Sequence, residues 1–146
     1  MTNYLKIVGV IVTAIAVQPA WAAGSCTNLV GRWSNELQST MTITSVDAAT
    51  GRIEGTYSSP SGTAGETFNL IGWLNTTAPD PTKDVVPVLT FTVRWTPYGS
   101  ATAWAGTCRE VAGRSVIRTV WHLARPKTAF PFEHVLVGAD TFTAVP

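Results

Sequence analysis

Hydrophobic and polar residues alternate in short runs along most of this chain, and a period of two marks a strand with one face buried. From Trp33 to Ile43, every second residue gives Trp33, Asn35, Leu37, Ser39, Met41 and Ile43 on one side. Ser34, Glu36, Gln38, Thr40 and Thr42 lie on the other. The same alternation recurs over 52–59, 67–74, 89–95, 100–108, 115–123 and 140–145. Between these runs lie stretches rich in turn-forming residues at 47–51, 59–66, 75–87, 96–99 and 125–136. The three prolines of 75–87 exclude that stretch from a central strand, and 125–136 has room for one helical turn. Nothing after residue 23 sustains a 3.6-residue period, so the pattern predicts an all-β meander or barrel.

The N-terminus is patterned differently. Lys6, the apolar run Ile7 to Val17 and the small residues of Ala20-Trp21-Ala22 read residues 1–23 as an export signal. The run is shorter than the ~20 residues a spanning helix needs, so no membrane attachment is expected once the signal is cut. A cut after Ala22 or Ala23 leaves one domain, 24–146, of roughly 120 residues, secreted or periplasmic. The alternative is a core helix at the N-terminus.

Loss of Lys6 leaves nine cationic side chains against nine acidic ones, and the arginines are scattered rather than gathered into a stripe. That balance gives nucleic acid no electrostatic footprint. Cys26 and Cys108 are the two cysteines, and an even count in an exported chain favours a disulfide over a metal site or a nucleophile. A lipidated Cys26 is the rival reading, although Ala23-Gly24-Ser25 lacks the large aliphatic residue expected before such a cysteine. Val116, Val120 and His122 share an outward parity on 115–123, where the valines hint at a subunit contact.

The inward parities are more polar than a solid core allows. Asn35, Ser39, Tyr57, Ser59, Ser100, Thr102 and Asp140 fall on them, together with Trp95, Trp104 and Trp121. An unpaired buried amide or hydroxyl costs about 1–3 kcal/mol, so these groups suit a pocket better than a packed interior. A barrel of eight strands is just wide enough to hold one small ligand. Aromatic walls with a few convergent polar groups call for a largely apolar ligand with one compact polar head. Asn, Ser and Tyr donate to an acceptor oxygen, whereas ionised Asp140 and Ser59 accept from N–H groups; a cyclic urea offers that combination.

The strings G-R-W-S-N-E-L-Q-S-T, G-T-Y-S-S, V-R-W, S-A-T-A-W-A-G and G-A-D-T-F occur in the order and near-spacing of the avidin and streptavidin family of biotin binders. The chain from Gly31 to Val145 resembles that family. The resemblance implies an eight-stranded antiparallel up-and-down β-barrel, no cofactor, and biotin as ligand. It implies that Asn35, Ser39 and Tyr57 donate to the ureido oxygen, that Ser59 and Asp140 accept from the ureido N–H groups, and that Thr102 meets the thioether sulfur. Ser100 matches a residue near the carboxylate tail. Trp95, Trp104 and Trp121 match the aromatic walls, and Leu37 a smaller apolar contact. It also implies a pairing of Cys26 with Cys108 and a homotetramer, with a homodimer as the alternative.

Some positions depart from the family pattern. Phe132 stands where a tryptophan lent by a neighbouring subunit closes the pocket, Phe91 replaces a common tryptophan, and Thr63, over the tail, replaces an asparagine beside the unusual Pro60. Three other readings compete: a barrel carrying another small apolar ligand, a structural module whose inward polar groups satisfy one another, and an enzyme. An enzyme is disfavoured because His122 lies on an outward parity, His134 lies in a loop, and no second titratable group joins Asp140 inside.

Overall fold

Period-two alternation becomes eight strands in the computed structural model, which describes residues 23–75 and 77–145. They are β1 (Gly31–Ser34), β2 (Thr40–Val46), β3 (Arg52–Ser58), β4 (Thr67–Leu74), β5 (Val88–Trp95), β6 (Ser100–Val111), β7 (Arg114–Ala124) and β8 (Val135–Val145). Each pairs antiparallel with its sequence neighbour, and β8 pairs with β1, so the sheet closes into an up-and-down barrel without edges. Short 3₁₀ turns, Pro81–Lys83 and Pro131–Glu133, sit in two of the connecting loops. The export signal expected at 1–23 lies, but for Ala23, outside the described residues.

One expected strand is in fact two. The run 33–43 breaks after Ser34, turns through 35–39 and resumes as β2. Sequence alternation survives because the turn returns the chain with its inward residues still inward. The reversal uses no glycine or proline; Gln38 adopts φ 62°, and the Asn35 side chain ties the turn together by accepting from the backbone N–H of Leu37 and Ser39. Leu37, expected on the core-facing side, is 57 % exposed at the tip.

Other boundaries differ less. β8 begins at Val135, so Val135 and Leu136 belong to a strand rather than to the preceding loop. Of the two valines expected to be exposed on β7, only Val120 is, at 58 %. Val116 is buried, in a recess bordered by Arg109, Val111 and Arg118, whose long stems cover apolar surface.

The barrel interior divides into a filled half and a hollow half. Trp33, Met41, Ile43, Ile53, Leu70, Leu89, Phe91, Ile117 and Phe142 pack the first. The segment 23–30 crosses that end as a plug. Leu29 is buried and its carbonyl accepts from the Trp33 indole N–H at 2.9 Å, and Cys26 is bonded to Cys108 of β6 with a Cα–Cα distance of 5.4 Å. The Cys26 amide also donates to Ser115 Oγ at 3.1 Å. At the other end open the loops 35–39, 59–66, 96–99 and 125–134. There the β1–β8 ladder stops at Ser34 and Thr143, and the Thr141 N–H beyond it donates to the Glu36 carboxylate at 3.0 Å, sealing the seam.

Candidate functional site

A cavity of about 340 Å³ occupies the hollow half and opens between three of those loops, 35–39, 59–66 and 96–99. That size falls at the lower end of small-molecule sites. Its wall is made by residues that period-two strands aim inward. Trp95 (β5), Trp104 (β6) and Tyr57 (β3) form an aromatic cluster, with Tyr57 5.7 Å from Trp95 edge-on and 5.1 Å from Trp104. Phe91 stacks behind Trp104 at 4.8 Å and 11°, so it supports the wall from the core. Trp121 (β7) closes another side. It can lie against β8 because its neighbour there is Gly138, where a Cβ would come within 2.3 Å of the indole.

The polar groups are held before any ligand arrives. The Asn35 side-chain oxygen accepts from Ser39 N at 2.8 Å and Leu37 N at 3.1 Å, which fixes the amide's orientation and leaves its NH₂ as the donating end, on the side of Asp140. Ser39 Oγ donates to Ser59 Oγ at 3.2 Å. Trp95 Nε1 donates to Thr102 Oγ1 at 2.7 Å, and Trp104 Nε1 to Asp140 Oδ2 at 2.8 Å. The Tyr57 hydroxyl faces the same cavity, near the Ser39 hydroxyl. Burial pushes its pKa up to about 12, against the opposing pull of the Ser39 hydroxyl, so it is a neutral donor. Burial likewise pushes the Asp140 carboxyl above the usual range. The Trp104 N–H opposes that rise, the charge of Glu36 adds to it, and Trp121 and Asn35 oppose it more weakly.

Twelve of the thirteen residues expected at a ligand site line this one cavity: Asn35, Leu37, Ser39, Tyr57, Ser59, Thr63, Trp95, Ser100, Thr102, Trp104, Trp121 and Asp140. Phe132 does not. It is 82 % exposed on the β7–β8 loop, stacked on Phe130 with ring centroids 5.6 Å apart. The cavity also takes in Ser61, Gly62, Tyr98 and Leu123. Leu123 shares the inward parity of Trp121 and was within reach of the sequence pattern, whereas the other three sit in loops where alternation says nothing. No group of three or more His, Cys, Asp or Glu among the described residues is arranged to hold a metal. His122 is exposed on the outer face, and His134 is exposed in a loop with Nδ1 2.8 Å from the Arg125 carbonyl.

Residues 23–145 match the family model described as the Avidin family. The chain belongs to that family. Avidin from Gallus gallus is 35 % identical over 111 residues, spanning 73 % of this chain and 69 % of its own. Avidin-related protein 4/5 of the same organism is 31 % identical over 135 residues, 87 % of this chain and 83 % of its own, and avidin-related protein 3 is 29 % identical over 130 residues, again 87 % and 83 %. Avidins are non-catalytic binding proteins. The Cys26–Cys108 bridge is of the kind that persists in oxidising compartments.

Proposed function

We propose that this member of the avidin family binds biotin in the open half of its barrel without chemical change. The observation carrying this reading is the convergence on one cavity of three groups able to donate, Asn35, Ser39 (whose hydroxyl would turn from Ser59 to the ligand) and Tyr57, with two acceptors, Ser59 and Asp140. The donors suit a ureido oxygen and the acceptors suit the flanking N–H groups. Donors aimed at one oxygen in a dry cavity polarise the urea, as an oxyanion hole polarises a carbonyl. Because strands and the Asn35-braced turn set these groups in advance, little ordering entropy remains to be lost on binding. In this reading Thr102 meets the thioether sulfur, Trp95, Trp104 and Trp121 wall the bicyclic head, and Ser100 and Thr63 lie along the tail.

We further infer an exported protein, cut after Ala22 or Ala23, that works as a homo-oligomer. A homotetramer is the form expected and a homodimer the alternative. The exposed Val120, Val135 and Val137 on the outer face of β7 and β8 support an assembly, as does Phe132, which is exposed and does not line its own cavity. Titration with biotin followed by tryptophan fluorescence tests the ligand. Saturable binding is expected, with loss of binding for an analogue lacking the ureido carbonyl; equal binding of both would leave a carrier of another small apolar ligand.

A further inference from the structure

The turn that carries the donors and the strand that carries Asp140 meet where the sheet has no ladder. β1 and β8 pair last at Ser34 and Thr143. Beyond that point the backbone of 35–39 is consumed within its own turn, where Asn35 N–H donates to the Ser39 carbonyl at 3.1 Å and Gln38 N–H to the Asn35 carbonyl at 3.1 Å. Continued two residues further, the register would set Glu36 opposite Thr141, but the chain has by then left the sheet. The Thr141 N–H finds its acceptor in the Glu36 carboxylate instead, at 3.0 Å. A side chain thus stands in for a ladder carbonyl.

That amide belongs to the peptide joining Asp140 to Thr141. The carbonyl of the same peptide, that of Asp140, accepts from Thr119 Oγ1 of β7 at 3.3 Å. Glu36 and Thr119 therefore hold the Asp140 backbone from both flanks, while Trp104 Nε1 holds its carboxylate at 2.8 Å. Glu36 stands between Asn35 and Leu37, which line the cavity, yet it is exposed and outside the lining.

We propose that Glu36 is a positioning residue for the ureido grip, setting the Asn35 and Ser39 donors against the Asp140 acceptor through the Thr141 amide. The proposal rests on the biotin reading above and adds to it a residue that does not touch the ligand. Donors displaced relative to an acceptor lose strength steeply, because distance and angle must both be kept.

The carboxylate also brings a charge. Burial is the largest cause of the raised Asp140 pKa, the Trp104 N–H opposes it, and the charge of Glu36 adds to the rise. The groups that face Asp140 from β6, β7, the turn and β3 are uncharged: Trp104, Trp121, Asn35 and Tyr57, whose own pKa is pushed up to about 12. Removal of the Glu36 charge therefore marks the titration of Asp140 in a way that a purely structural contact would not.

The test measures biotin dissociation and affinity across pH for the wild type, Glu36→Ala and Glu36→Gln, all well below their melting midpoints. Since Glu36 is exposed, both variants should fold. Glu36→Ala loses the acceptor and should release biotin about tenfold faster, the worth of one hydrogen bond. Glu36→Gln keeps an oxygen for the Thr141 N–H and should recover most of that loss at pH 7. It should also move the acid limb of biotin affinity, where Asp140 takes up a proton, to lower pH, because the charge that raises Asp140 is gone. The same displacement should appear without ligand in the acid titration of tryptophan fluorescence, which reports Trp104 against Asp140. Alanine that releases biotin like the wild type, glutamine no better than alanine, or an acid limb that stays in place overturns the assignment of Glu36 alone. A wild type that does not bind biotin overturns the biotin reading and this proposal with it.

Discussion

The indole Nε1 of Trp104 on β6 donates to Asp140 Oδ2 on β8 at 2.8 Å, reaching past β7, which lies between the two strands. One aromatic wall of the cavity therefore also fixes its carboxylate, whose remaining lone pairs stay available to a donor. The arrangement costs stability. Asp140 titrates above its usual range, chiefly through burial, so the folded state holds this proton more tightly than the unfolded state does. Its contribution is destabilising at neutral pH, and that penalty is relieved as pH falls through the folded-state pKa.

Asp140→Asn is therefore expected to raise the melting midpoint of the unliganded protein at pH 7, with the gain shrinking as the wild type is acidified. Biotin affinity should fall about 10- to 100-fold, the worth of a charge-assisted hydrogen bond. Wild-type affinity should also decline on acidification as a proton occupies the acceptor, while that of Asp140→Asn stays flat in the same range. Thermal melts and titrations across pH check both halves. A variant that is less stable and binds normally would remove Asp140 from the site.

Asn35 has two jobs that different substitutions separate. Its oxygen braces the 35–39 turn and its NH₂ faces the cavity. Asn35→Asp keeps an acceptor for the turn and loses the donor, so it should fold with the brace intact and, at acid pH where it and the neighbouring Asp140 are neutral, melt near wild type, while at pH 7 affinity drops by about two orders of magnitude, from a lost hydrogen bond and added charge repulsion of the ureido oxygen. Asn35→Ala loses both, and should in addition lower stability by about 1–3 kcal/mol, because the buried Ser39 N–H is left unpaired. Equal melting of the two variants would mean that the turn does not need the brace.

That turn also shows how far the sequence could be read. Period two assigned most strands and placed Asn35, Ser39, Tyr57, Thr102 and Asp140 inward, because a half-buried sheet permits no other register. It could not reveal the reversal inside 33–43, since a side chain, Asn35, and a left-handed Gln38 perform the task that glycine or proline usually signals. Loop residues escaped for the same reason. Tyr98 reaches the cavity only because the 96–99 loop folds over its rim, a tertiary fact with no local period. Val116 sits opposite Arg109 of the adjacent strand and shares a recess with it, a cross-strand neighbourhood that a per-strand reading does not see.

Gly138 sets the position of Trp121, and its replacement should report on the ligand wall directly. A Cβ there would lie 2.3 Å from the indole, so Gly138→Ala forces the ring to move. Gly138 has no positive φ, so alanine carries no backbone strain and the fold should survive. The expected result is a shifted tryptophan emission and a biotin affinity at least about tenfold weaker, as a wall displaced from its contacts forfeits dispersion and burial. Unaltered affinity would show that Trp121 does not touch the ligand.

The disulfide gives the complementary case, stability without binding. Cys26 and Cys108 close a loop with a sequence separation of 82 at the plugged end, away from the loops at the open end of the barrel. On the chain-entropy account such a bridge contributes at most about 4–5 kcal/mol by restricting the unfolded chain. Cys26→Ala with Cys108→Ala should therefore lower the melting midpoint substantially and should release the segment 23–30 from the barrel end, where Leu29 caps the Trp33 indole. The donors that face the cavity are held by the 35–39 turn and by strand pairing, neither of which involves the plug. Biotin affinity measured well below the new midpoint should then match wild type, and added biotin should restore much of the lost melting temperature by mass action. A double variant that folds but binds weakly would show that the plug, through Trp33 at the start of the braced turn, sets the geometry of the donors at the opposite end.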